Sequence, residues 1–235
     1  MNTKTIHSTK ENLQVLFEDN HLLIVNKRPG DIVQGDKTGD IPLVEVGKAY
    51  IADKYDKPGA VYLGVAHRLD RPTSGVIIFA RTSKALTRLN KLFADRETKK
   101  IYWAVVKNDP PNKKGTLVHF LKRNPKQNKS YANIKEVPDS KRAVLHYEIL
   151  KKLDNFTALQ IELETGRHHQ IRAQLSSINC PIKGDLKYGS DRSNKDGSIH
   201  LHARKITFVH PVKKEEITIT APVPSDNVWK SISKQ

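Results

Sequence analysis

Cysteine is almost missing from this chain: Cys180 stands alone among 235 residues. No internal disulfide can form, and a reducing compartment is the expectation. Long apolar runs are missing too. No stretch approaches the ~20 consecutive apolar residues that a membrane span needs. The opening MNTKTIHSTKENLQ has neither an apolar core nor the Arg-rich amphipathic pattern of a targeting segment. Aromatic residues are 6% and hydrophobic residues 37% of the total, enough for a core but a lean one. Negative charge is the other scarcity: 25 acidic residues face 41 basic ones, for a formal net charge of +16. That excess repels itself unless a polyanion neutralises it, and each phosphate met by Lys or Arg releases counterions. These shortages together predict a soluble cytoplasmic protein whose first partner is nucleic acid, without membrane attachment.

What is present is a run of short apolar segments, mostly in pairs. LQVLFEDNHLLIVNKRPG reads as a hairpin closed by a turn at Lys27-Arg28-Pro29-Gly30. Leu43 to Asp53 reads as a short helix. SGVIIFAR and KKIYWAVV read as strands on either side of SKALTRLNKLFADRE, whose Leu86, Leu89, Leu92 and Phe93 fall at helical spacing behind Ser83 as N-cap. Residues 107–142, rich in Pro, Asn and Lys, predict turns and a mobile basic hairpin. AVLHYEIL and FTALQIELETG follow as strands. RHHQIRAQLSSIN is a helix with one apolar face through Ile171, Leu175 and Ile178, stopped by Pro181. ARKITFVHP and EEITITAPVP are the last strands. Strands outnumber helices and come in hairpin-sized pairs, so an antiparallel α+β layer fold is expected.

One stretch resists a purely structural reading. GVAHRLDRPTSGVIIFA crowds His67, Arg68, Asp70 and Arg71 at the mouth of an apolar strand. HRLDRPTSG (67–75), KKIYWAVV (99–106), TGRHHQIR (165–172), PIKGDLKYG (181–189) and LHARKITFVHP (201–211) resemble, in order, the motifs of the RluA-type RNA pseudouridine synthases. The resemblance implies the pseudouridine synthase catalytic fold, a central, mostly antiparallel sheet flanked by helices with an active-site cleft across the sheet. It also implies a flexible N-terminus over 1–12 and a single catalytic domain over 13–235, without a separate N-terminal RNA-binding domain. The implied reaction turns uridine in tRNA or rRNA into pseudouridine with no metal and no organic cofactor. Asp70 takes the position of the catalytic aspartate, Tyr102 that of the tyrosine against the target base, and Arg172 that of the arginine that ion-pairs with the aspartate. Ile206 matches the aliphatic residue that supports the tyrosine. Arg68, Arg71, His67, Arg167 and Gln170, with Lys122, Arg123, Lys126 and Lys129 of the basic hairpin, are the expected RNA contacts. A monomer is expected.

The chemistry of these residue types agrees. A carboxylate that attacks C1′ or removes the C2′ proton must be ionised, and burial under a flipped base works against that. A guanidinium partner keeps it charged and cannot itself deprotonate. Extruding the base costs a few kcal/mol, and an aromatic face under the uracil returns ~1–3 kcal/mol. Plainer readings stand beside these. Asp70 is then a loop carboxylate in a local salt bridge, Tyr102 a core aromatic, Arg172 a solvated helix residue, GDLKYG a structural turn with two glycines rather than a segment whose Asp185 braces an active-site arginine, and the basic hairpin a solvated loop. The histidines show no zinc spacing. At the level of function, the alternatives are a non-catalytic RNA-binding protein or chaperone and, with little support, a metal-dependent nuclease.

Overall fold

The computed structural model describes residues 6–233. In chain order the strands and helices are β1 (Val15–Glu18), β2 (Leu22–Lys27), α1 (Leu43–Lys54), β3 (Gly64–Val65), β4 (Ser74–Ala80), α2 (Ser83–Ala94), β5 (Lys99–Val106), β6 (Lys114–Asn124), β7 (Lys129–Asn133), β8 (Lys141–Lys152), β9 (Thr157–Leu163), α3 (Gln170–Ser177), β10 (Leu201–Val209), β11 (Glu216–Thr220) and α4 (Asn227–Ser233). They form two compact units. One comprises residues 3–98 and 203–224, the other residues 99–202 and the C-terminal segment from Ser225. Each is α+β; the pairs β1–β2, β2–β4, β3–β4 and β10–β11 of the first are antiparallel. Among the described residues no helix is long and apolar enough to cross a membrane.

In the first unit the strand order is β1-β2-β4-β10, with β3 added to β4 and β11 to β10. β2 and β4 are buried along their whole length because both faces are covered. Leu22, Ile24, Val76 and Ile78 pack with Ala85 and Leu89 of α2 and with Ile206 and Phe208 of β10. Leu23, Val25, Ile77 and Phe79, one pleat away, pack against Leu43, Val46 and Ile51 of α1. α2 begins one residue earlier than its leucine spacing suggests. Thr82, not Ser83, is the N-cap, its Oγ1 accepting the Ala85 N–H at 3.1 Å. Within the segment expected to be flexible, Ser8 is buried and its Oγ donates to Asp31 Oδ2 at 2.6 Å; residues 1–5 lie outside the described residues.

In the second unit the order is β5-β9-β8-β6-β7, every neighbouring pair antiparallel. Ala104, Leu145, Leu159 and Ile161 form its core with Ile171 and Leu175 of α3, Cys180 and Ile182, and Tyr102 packs at the edge. The sequence reading missed most of β6. Where turns were expected, eleven residues run as one strand, paired with β8 along one edge and β7 along the other. The hairpin tip at 125–128 is a turn. α3 is likewise more enclosed than a one-faced helix: Gln170 to Leu175 are all buried. It ends at Ser177, where Asn179 adopts φ +58° and the Cys180 N–H returns to the Leu175 carbonyl, before Pro181 is reached. Cys180 is fully buried, and that burial pushes its thiol up to about 11.

Candidate active site

The loop 67–73 sits on a buried lysine. Lys27 closes β2, a strand apolar but for Asn26 beside it, and its side chain is fully buried. Its Nζ donates to the carbonyls of Arg28 at 2.9 Å, Arg71 at 3.0 Å and Thr73 at 2.7 Å. Three acceptors match the three protons of an ammonium. Burial pulls the pKa of Lys27 down to about 7, Asp31 and Asp70 act to raise it, and Arg71 lowers it further. The Gly30 N–H adds a second bond to the Arg71 carbonyl at 2.8 Å, and the Thr73 N–H closes the loop on the Asp70 carbonyl at 3.0 Å. The segment is therefore held by its backbone from the Asp70 carbonyl onward, through Arg71 and Thr73.

Gly75 returns the chain to β4. It has φ +118°, and a Cβ there would lie 2.3 Å from the Ala203 carbonyl oxygen. No residue with a side chain fits that approach. Around it His67, Arg68 and Arg71 part company. His67 turns inward: its Nε2 accepts the Ile78 N–H at 3.0 Å and its ring packs on Phe93. Arg68 is exposed. Arg71 bends toward the segment 36–40, donating to Asp40 at 2.6 Å and to Thr38 Oγ1 at 2.7 Å, with Asp36 at 3.6 Å. Those two aspartates were not anticipated as its partners. Ile206, expected as an aliphatic support, is a buried member of the first unit's core.

The second unit holds the other expected residues. Tyr102 lies on β5 opposite Ile161, half-buried on the face of the sheet that α3 covers. Arg172, on that helix, is buried and grips Asp185 with two bonds, Nε to Oδ2 at 2.7 Å and NH2 to Oδ1 at 2.8 Å. A buried guanidinium without such a carboxylate would be strongly destabilising; GDLKYG is a turn, with Gly184 and Gly189 at positive φ, and its Asp185 holds Arg172. Gln170 is spent on the fold. Its Oε1 accepts from Thr165 Oγ1 and the Arg167 N–H, and its Nε2 donates to the Val144 carbonyl. The structure thus turns this expected RNA contact inward, as it does His67. Arg167 is partly exposed and donates to the Arg142 carbonyl at 3.3 Å. Lys122, Arg123 and Lys126 are exposed at the β6–β7 tip, while Lys129 lies over the rings of Tyr131 and Tyr188. Among the described residues no cluster of His, Cys, Asp and Glu could hold a metal.

A family model described as RNA pseudouridylate synthase matches residues 21–177 of this chain. The stretch includes Asp70, Tyr102 and Arg172. Ribosomal large subunit pseudouridine synthase C of Buchnera aphidicola is 36% identical over 231 residues, covering 95% of this chain and 70% of that protein. An uncharacterized RNA pseudouridine synthase of Synechocystis is 33% identical over 217 residues, covering 91% of this chain and 66% of that one. The chain thus spans about two thirds of the length of these relatives. Two solved human structures, RNA pseudouridylate synthase domain containing 4 and domain containing 1, superpose with TM-scores of 0.76 and 0.77 at 23% and 22% identity. They cover 92% and 97% of this chain, and it covers 90% of each of them. At that identity the likeness shows the shared fold.

Proposed function

The chain belongs to the RNA pseudouridylate synthase family, a family of isomerases, in its RluA-type branch, and from that premise we propose that it converts specific uridines of structured RNA to pseudouridine, with Asp70 as the catalytic carboxylate. The observation that supports the proposal is the family match through residues 21–177, a span that contains both the loop held by Lys27 and the helix bearing Arg172.

In this reaction the N1–C1′ bond breaks, the uracil turns, and a C5–C1′ bond replaces it. C5 loses a proton and N1 takes one, so nothing is consumed. Asp70 acts at the ribose, on C1′ or on the C2′ proton, and both routes need the anion. A loop fixed by its carbonyls suits that task, because the carboxylate need not be ordered at the moment of reaction. Arg172 supplies fixed positive charge in a buried setting, already oriented by Asp185. Tyr102 packs on the uracil and serves the C5 proton. Arg68 and the exposed cations of the β6–β7 tip meet the phosphate backbone. The substrate is rRNA or tRNA, and the name of the Buchnera relative favours the large ribosomal RNA.

The test is tritium release from [5-³H]uridine-labelled RNA of cells lacking the protein, assayed separately on large-subunit rRNA and tRNA. Asp70→Ala should abolish release, a loss of about 10⁴-fold or more, while RNA affinity by filter binding stays within about threefold. A variant that still releases tritium removes Asp70 from the chemistry. A wild-type protein that binds RNA without releasing tritium is a binding protein on this fold.

A further inference from the structure

We propose that Tyr188 is a positioning residue that couples the basic β6–β7 hairpin to Arg172, an inference that rests on the catalytic reading of that arginine. Tyr188 lies in the GDLKYG segment and is buried. Its ring lies 5.0 Å from the Arg172 guanidinium carbon, within reach of a cation–π contact. The ammonium of Lys129, on the hairpin, lies 5.1 Å from the same ring. One aromatic quadrupole is therefore shared between a hairpin cation and the arginine.

The hydroxyl makes a second link. It accepts the Ser130 N–H of the hairpin at 2.8 Å and shares a hydrogen bond with His169 Nδ1 at 3.0 Å. His169 is the left-handed residue, φ +52°, from which α3 starts, so the hairpin is bonded through Tyr188 to the entrance of the helix that carries Arg172. His168 stacks on His169 at 3.8 Å between ring centroids and bonds Ser130 Oγ at 2.8 Å, closing the circuit. At the other end of the segment, Asp185 holds the Arg172 fork. Gly184 and Gly189, at φ +90° and +100°, let so short a piece of chain turn at both ends. Residues 184–189 thus form a strut with the hairpin at one end and the guanidinium at the other. When RNA phosphates draw on Lys129, the ring and the Ser130 bond carry the change to Arg172.

The prediction separates ring from hydroxyl. Tyr188→Phe keeps the ring and loses the hydroxyl; KM for RNA should rise about threefold or more while kcat stays within about twofold. Tyr188→Leu loses both, and kcat should fall by about tenfold or more. The readout that does not depend on turnover is the Arg172 Nε–Hε resonance. Lys129→Met should shift it in the wild-type background and leave it unmoved beside Tyr188→Leu. Unchanged KM for Tyr188→Phe, or unchanged kcat for a folded Tyr188→Leu, overturns the proposal. If Tyr188→Leu does not fold, Lys129→Met decides alone: a moved resonance in an otherwise native spectrum supports the coupling and an unmoved one overturns it. A wild type that releases no tritium sinks the isomerase reading, while the resonance experiment still decides the coupling.

Discussion

Lys27 sits in a setting far from its usual chemistry. In the unfolded chain a lysine keeps its proton up to about pH 10.4; here burial brings the folded value to about 7. Between those values the unfolded state binds the extra proton, so stability rises with pH. Measured against Lys27→Met by urea unfolding, the native protein should gain up to ~1.4 kcal/mol per pH unit above pH 7, with no such trend below it. A difference that stays flat from pH 7 to 10 would show that the ammonium keeps its proton throughout. Loss of that proton leaves an amine with two donors facing three carbonyls. The loop around Asp70 should therefore exchange its amides faster in alkali even as the fold becomes more stable.

At the scale of elements, Gly75 marks where the active-site loop must re-enter the sheet. Gly75→Ala places a methyl group against the Ala203 backbone in a left-handed conformation. It should destabilise the protein by ~3 kcal/mol or more, read as a drop in the denaturant midpoint; a midpoint near wild type would mean that β4 and β10 can separate there. The glycine itself was legible, since Thr73-Ser74-Gly75 announces a turn before an apolar run. Elements built on apolar periodicity were legible for the same reason: β4, β5, α2 and β10 fall where their patterns put them. β6 was not, because KGTLVHFLKRN alternates weakly and ends in charge, and its strand character comes from the two neighbours it pairs with. The motif positions of Asp70, Tyr102 and Arg172 could be read directly. Their supports could not. Lys27, Asp40 and Tyr188 act through contacts between segments distant in sequence, and no local pattern encodes those.

For the whole molecule the dominant quantity is its charge. A net +16 makes RNA binding steeply dependent on salt, and the slope of log affinity against log salt counts phosphates neutralised. Replacing the exposed Lys122, Arg123 and Lys126 with glutamine should flatten that slope by about 2, taking ~0.7 per contact on single-stranded RNA. An unchanged slope would place the docking surface elsewhere. Opposite-charge pairs on the exterior, such as Arg71 with Asp40, add little stability.

The solitary thiol offers a stopwatch. Cys180 lies among Ile171, Leu175 and Ile182 with no solvent access, and its raised pKa keeps it un-ionised and unreactive. An alkylating reagent can reach it only when the region bearing Arg172 comes apart, so the rate of mass gain times that opening event without any engineered label.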